Sequence, residues 1–166
     1  MKTATIVFFL FSCLCVRAQN RSRELGYEQP IFDSDTCCWR KLAKNNEYEK
    51  AGDLIVSYLK NNKKRSNIHA LHWHAGQMFA KAQNDRLAVH YFRKTYNFLY
   101  KWFGGEDGKT WYYYAKGTVA FIERDQEKLS KIIKSWDKNL PKDRNYSSLI
   151  RLYKNWDSKY LEATEP

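Results

Sequence analysis

Between residues 32 and 162 the apolar residues recur at intervals of three and four rather than two, and this regularity decides the fold class. A period near 3.6 buries one face of a helix, whereas a half-buried strand needs strict alternation. The chain is therefore expected to be all-α, and no strand is needed. Ala51, Leu54, Ile55, Tyr58 and Leu59 form one stripe; Leu71, Ala75, Met78, Phe79 and Ala82 form the next. Leu87, Ala88, Tyr91, Phe92, Thr95, Phe98, Leu99 and Trp102 predict a single long helix, and Leu149, Leu152, Tyr153, Trp156 and Tyr160 a last one.

Helix boundaries follow from capping chemistry. Asp33, Ser34, Asp35 and Thr36 offer N-caps for a first helix reaching about Lys44, which Asn45 and Asn46 end. Asn61 to Arg65 closes the second helix, Ser66 or Asn67 opens the third, and Asn84-Asp85 makes a tight connection to the fourth. Gly104-Gly105-Glu106-Asp107-Gly108 is the clearest loop signal. Thr110 then caps a fifth helix, Asp125 a sixth, and Leu140-Pro141 breaks the chain again.

Composition adds the compartment and the core. With 43% hydrophobic and 16% aromatic residues and three prolines, the chain supports a packed interior and is no disordered polyelectrolyte. Residues 1–18 read as a secretory signal, with the apolar run Ile6 to Phe11 and Val16-Arg17-Ala18 before Gln19. Two competing readings are a membrane anchor and a degenerate lipoprotein box, Leu10-Phe11-Ser12-Cys13, that would acylate Cys13. Residues 19–31 read as an extended lead-in. The formal charge of +11 loses only Lys2 and Arg17 with the signal, so the exported domain stays basic. The expected location is periplasm, cell surface or secreted, with no transmembrane span in the mature protein. Asn20-Arg21-Ser22 and Asn145-Tyr146-Ser147 are sequons that matter in a eukaryotic secretory pathway. Cys37 and Cys38 are adjacent, and neighbouring Cα atoms lie closer than a relaxed disulfide wants. They read as buried free thiols, the alternatives being an intermolecular bridge, a vicinal disulfide or a metal site.

The helices repeat. Gly76, Phe79, Ala88 and Phe92 are separated by 3, 9 and 4 residues, and Gly117, Ala120, Leu129 and Ile133 have the same separations 41 residues later. An earlier copy aligns 37 residues before, with Leu42, Ala51 and Ile55 in step and Trp39 where the later copies have glycine. A glycine at a helix crossing lets two axes approach closely. This pattern of small and bulky residues, Ala75-Gly76, Phe79, Ala88 and Phe92 above all, resembles the tetratricopeptide repeat family over residues 32–141, with Pro141 at a repeat-ending position. Lys116 stands where a large apolar residue is expected in the third copy. The resemblance implies three antiparallel helix pairs stacked as a short solenoid with a C-terminal capping helix, within one domain at 32–162. An irregular helical bundle is the competing architecture.

The same resemblance implies a scaffold rather than a catalyst, binding a protein or peptide segment on a concave face lined by the first helix of each pair. Carried over by position, that face holds Arg40 and Lys44, then Trp73, Gln77 and Lys81, then Trp111, Tyr114 and Thr118. Aromatics supply contact area and the lysines suit an acidic partner; each tryptophan is equally a candidate core residue. A toxin-immunity or inhibitor protein would use the same surface. The other class of reading is a polyanion- or glycan-binding envelope module that uses Lys128, Lys131, Lys134 and Lys138, a stripe at helical spacing, or the basic turn of Lys60, Lys63, Lys64 and Arg65. Nucleic acid is disfavoured as a partner because the signal directs the chain away from it. His69 and His72 share a helix face, His74 points away, and His90 lies on the next helix, a spacing that matches no metalloenzyme motif. No nucleophile elbow, phosphate loop or carboxylate pair is present, so no catalytic residue, metal or cofactor is expected.

Overall fold

The structure, a computed structural model, describes residues 23–63 and 66–165. The expected signal with Cys13, the first part of the lead-in, the sequon at Asn20, and Lys64 and Arg65 lie outside the described residues. Ten helices are bounded among them: α1 (Gln29–Phe32), α2 (Cys38–Lys44), α3 (Tyr48–Asn61), α4 (Ile68–Lys81), α5 (Asp85–Arg93), α6 (Phe98–Phe103), α7 (Gly105–Ile122), α8 (Gln126–Asn139), α9 (Arg144–Lys154) and α10 (Tyr160–Thr164). No strand occurs among the described residues, so the all-α expectation holds. None of these helices is long and apolar enough to cross a membrane.

Helices that follow each other in the chain pack on each other: α2 on α3, α3 on α4, α4 on α5, α5 on α7, and α7 on α8. α9 then packs on both α7 and α8, and α10 on α9 and α4. One continuous core runs from Phe32 to Ala163, with Tyr58, Phe79, Phe92, Phe121 and Trp136 among its fully buried side chains.

Three hairpin turns share one backbone solution. Asn46, Gln83 and Arg124 all adopt left-handed φ, of 59°, 61° and 58°. In each turn the next amide bonds back across six residues: Glu47 N to Leu42 O, Asn84 N to Phe79 O and Asp125 N to Ala120 O, at 2.9, 2.8 and 2.9 Å. A second bond runs from Asn46, Gln83 and Arg124 N to Ala43, Ala80 and Phe121 O. This pair of bonds is the Schellman arrangement, which satisfies carbonyls that a helix end would leave unpaired. The turns lie 37 and 41 residues apart, the offsets that the side-chain pattern predicted. Asn84 and Asp125 then cap the returning helices by accepting from Leu87 N and Lys128 N. Asn67 caps α4 in the same way.

The close crossings fall at the glycines. A Cβ on Gly76 would lie 2.5 Å from Phe92 Cδ1, and one on Gly117 2.5 Å from Leu149 Cδ1. The second contact is with α9 rather than with the partner helix α8, so the two glycines do not serve equivalent interfaces.

Several expectations need correction. The long helix from Asp85 to Trp102 is broken: Lys94 N and Thr95 N bond to carbonyls three residues back, Thr95 Oγ1 donates to Phe92 O, and Thr95 O accepts the Trp111 indole N–H at 2.8 Å. Those bonds use up the groups that continuing the helix would need. The segment beyond becomes α6, and Phe98, Leu99 and Trp102 are exposed instead of buried. The expected loop at 104–108 is the start of α7, where Gly105 takes φ 63° and Gly108 N bonds to Gly104 O at 2.8 Å. Thr110 is consequently an interior helical residue, not a cap. The last helix is divided, because Trp156 O and Ser158 O accept hydrogen bonds from the Arg124 guanidinium and turn the chain before α10.

The described part of the lead-in is not extended. Residues 23–25 form a helical turn, and the peptide carbonyls of Leu25 and Tyr27 accept from Asn62 and from the Tyr58 hydroxyl. The buried Gln29 amide pairs with both backbone groups of Asn67. Cys37 and Cys38 are joined as a vicinal disulfide, their Cα atoms 3.7 Å apart, and not as free thiols. Cys38 turns into the left-handed region, φ 54°, where the chain enters α2.

Candidate functional site

The leading helices α2, α4 and α7 meet side by side through their aromatic rings. Trp39 lies 5.0 Å from the His74 ring, and Trp73 lies 4.8 Å from Trp111 and 5.1 Å from Tyr114, measured between centroids. The eight residues expected on a shared face divide here into two groups with different access to solvent.

Over the C-terminal half of α7 and the part of α4 beside it the face is covered. Trp73 is 7% exposed and Thr118 fully buried, so neither presents a docking surface. Thr118 is inward because its hydroxyl donates to Tyr114 O one turn back while α9 packs on this stretch of α7. The Tyr114 hydroxyl meets Ser148 of α9, and burial raises its pKa above the usual tyrosine range. α10 closes the rest. Tyr160 is buried with its hydroxyl on Gln77, between Phe92 and Phe121 at 6.1 and 6.4 Å, and burial drives its pKa far above the ordinary value. Trp111 is half-buried and borders a separate cleft of about 420 Å³ with Asn67, His69, Ala70, Trp73, His74 and Thr95.

Over α2 and α4 the face is open. A cleft of about 360 Å³ is lined by Asp35, Trp39, Arg40, Ala43, Lys44, Tyr48, His74, Gln77, Met78 and Lys81. Four of the eight expected residues, Arg40, Lys44, Gln77 and Lys81, thus come together. Arg40 is held in place: Nε donates to Asp33 O at 2.9 Å, Nη2 to Asp33 Oδ1 at 3.2 Å, and the guanidinium lies 4.3 Å from the Trp39 ring. Trp39 Nε1 donates to the same Asp33 carboxylate. Lys44 Nζ donates to the Asp35 carbonyl at 2.8 Å, a contact that leaves its charge uncompensated. Lys81 Nζ stands 5.4 Å from the Tyr48 ring, and among the described residues no carboxylate forms an ion pair with it. Lys44 and Lys81 therefore bring uncompensated charge to the hollow, whose third cation, Arg40, is ion-paired with Asp33 and Asp35 at 3.2 and 3.6 Å; Tyr48 is its half-buried aromatic edge, while Trp39 and Met78 lie buried beneath it.

His74 forms the back wall. Its Nδ1 is 3.1 Å from Gln77 Oε1 and its Nε2 3.9 Å from Asp33 Oδ2. Burial is the main influence and lowers its pKa below 6.5; Gln77 and Asp33 oppose this and Arg40 reinforces it. Burial thus favours the neutral ring, which adds shape and a hydrogen-bonding edge to the cleft. Sequence reasoning set His74 aside as matching no metal motif and did not single out Tyr48.

The remaining candidates are dispersed. Lys128 is paired with Glu123 at 3.1 Å and Lys131 with Glu127, while Lys134 and Lys138 are exposed on α8. His72 and His90 both approach the Tyr91 ring, stacked at 5.9 Å and edge-on at 4.9 Å. Among the described residues no three His, Cys, Asp or Glu side chains are placed to hold a metal ion. No protein-family model, curated protein or solved structure matches the chain, so the functional reading rests on geometry.

Proposed function

We propose that the chain is an exported, non-catalytic adaptor that binds an acidic protein segment in the cleft between α2 and α4. The observation that carries this reading is the pair of uncompensated ammonium groups, Lys44 and Lys81, at a hollow edged by Tyr48. Cations on the rim attract carboxylates and set orientation, and the Tyr48 ring contributes apolar contact area. The export part of the reading is supported by the apolar run and Val16-Arg17-Ala18 in the N-terminal sequence. A tetratricopeptide-like stack is supported by the three equivalent turns and their spacing. The lysine stripe on α8 gives the polyanion reading less support, because two of its four cations are neutralised by neighbouring glutamates.

The test is titration of peptides carrying two or three carboxylates beside an apolar residue, followed by tryptophan emission. Lys44→Glu with Lys81→Glu should weaken binding by about tenfold or more, since each close charge contact is reversed. Lys134→Glu with Lys138→Glu should leave it unchanged. If the α8 pair is the one that matters, the cleft is not the site.

A further inference from the structure

The helix α6 turns its apolar side chains to solvent. Phe98, Leu99, Trp102 and Phe103 are 64%, 61%, 61% and 82% exposed. Side chains this large at such exposure stand out from the surface, and none lines either cleft described above. Soluble proteins seldom leave so many adjacent apolar groups in water without a use for them.

The surroundings select the occupant. α6 packs on α7, where the Lys101 ammonium lies 5.9 and 5.8 Å from the rings of Tyr112 and Tyr113. Tyr96 meets Tyr112 at 5.6 Å, and Lys116 donates to the Tyr112 hydroxyl. Within residues 94–116 four lysines, Lys94, Lys101, Lys109 and Lys116, outnumber Glu106 and Asp107, and the whole chain carries +11. A protruding apolar knob ringed by tyrosine and lysine is the composition that suits the boundary between headgroups and acyl chains, where amphipathic rings settle and cations meet phosphate. Six residues cannot span a bilayer, which takes about 20. Pairing with a second copy would bring the lysines of both copies together, which like-charge repulsion opposes.

We infer that α6 is a contact for an anionic lipid surface: Phe98, Leu99, Trp102 and Phe103 enter the interface while the exposed Lys94 and Lys109 on either side of α6 in the chain meet the phosphates. The inference is independent of the cleft. The test uses vesicles of phosphatidylcholine with brominated acyl chains and phosphatidylglycerol in equal parts, the bromine quenching any tryptophan that enters. Quenching should be strong for the unaltered protein and largely lost in Trp102→Phe. Phe103→Ser should lower partitioning by about tenfold or more, through lost apolar burial. Lys94→Glu with Lys109→Glu should also weaken it, and vesicles of phosphatidylcholine alone should bind less. These side chains are exposed, so unchanged thermal unfolding of each variant keeps the comparison valid. Equal quenching with and without Trp102, or equal binding to both vesicle types, overturns the inference. So does a dimer in sedimentation that Phe103→Ser abolishes while vesicles bind no protein, because that makes α6 a self-association face.

Discussion

Replacing Gly76 by alanine should destabilise the protein, although the same change in an open helix would stabilise it by about 1 kcal/mol. The added methyl would sit 2.5, 2.8 and 2.9 Å from Cδ1, Cε1 and Cγ of Phe92, far inside the roughly 3.5–4.0 Å at which carbon atoms attract. The phenyl ring has no room to retreat: it is fully buried, with the Trp73 ring at 4.6 Å and the Tyr160 ring at 6.1 Å. Relief requires α4 and α5 to separate, and a clash this close to a buried ring falls in the upper part of the overpacking range, about 2–3 kcal/mol. Set against the propensity gain, the net loss should be about 1–2 kcal/mol, which lowers Tm by about 2–8 °C for a chain of this size. Urea unfolding followed by circular dichroism measures it, with an unchanged slope confirming that stability alone has moved. Adding Phe92→Leu should relieve part of the clash, so the double variant is less unstable than the two single losses summed. A midpoint that stays put or rises in Gly76→Ala would refute the close crossing and the repeat built on it.

Other expectations follow from the cleft and its closure. Because burial lowers the His74 pKa, the unfolded chain binds its proton first as acid is added, so stability is full above about pH 6.5 and falls as pH drops below it. His74→Gln should flatten that decline in urea titrations between about pH 7.5 and pH 5; parallel curves would mean that His74 is solvated. Tyr160→Phe should cost about 1–3 kcal/mol by leaving the Gln77 amide without its partner, read from the unfolding midpoint. No loss there would mean that water from the cleft already satisfies Gln77.

How far the chain could be read without coordinates depended on the range of the interaction concerned. The stripes on α3 and α4, the caps Asn67 and Asp125, the tight connection at Asn84-Asp85, and the offsets of 37 and 41 residues follow from contacts within a few residues or from a repeated unit, and each reappears in the structure. The fate of residues 94–103 was different. Phe98, Leu99 and Trp102 continue the spacing of α5 and nothing local forbids a longer helix; the break depends on Trp111, 16 residues away, taking the carbonyl of Thr95.

The candidate site divides along the same line. Sequence alone determined the helical class and the basic charge, because periodicity and composition are properties of the chain itself; the candidate positions on α2, α4 and α7 came from the repeat resemblance. Tertiary structure decided which of those positions face water. α9 and α10 cover Thr118, Tyr114 and part of Gln77, leaving Arg40, Lys44 and Lys81 around an open cleft. The covering segment lies far along the chain from what it covers, and only the summed packing of the whole core fixes where its five-residue last helix comes to rest.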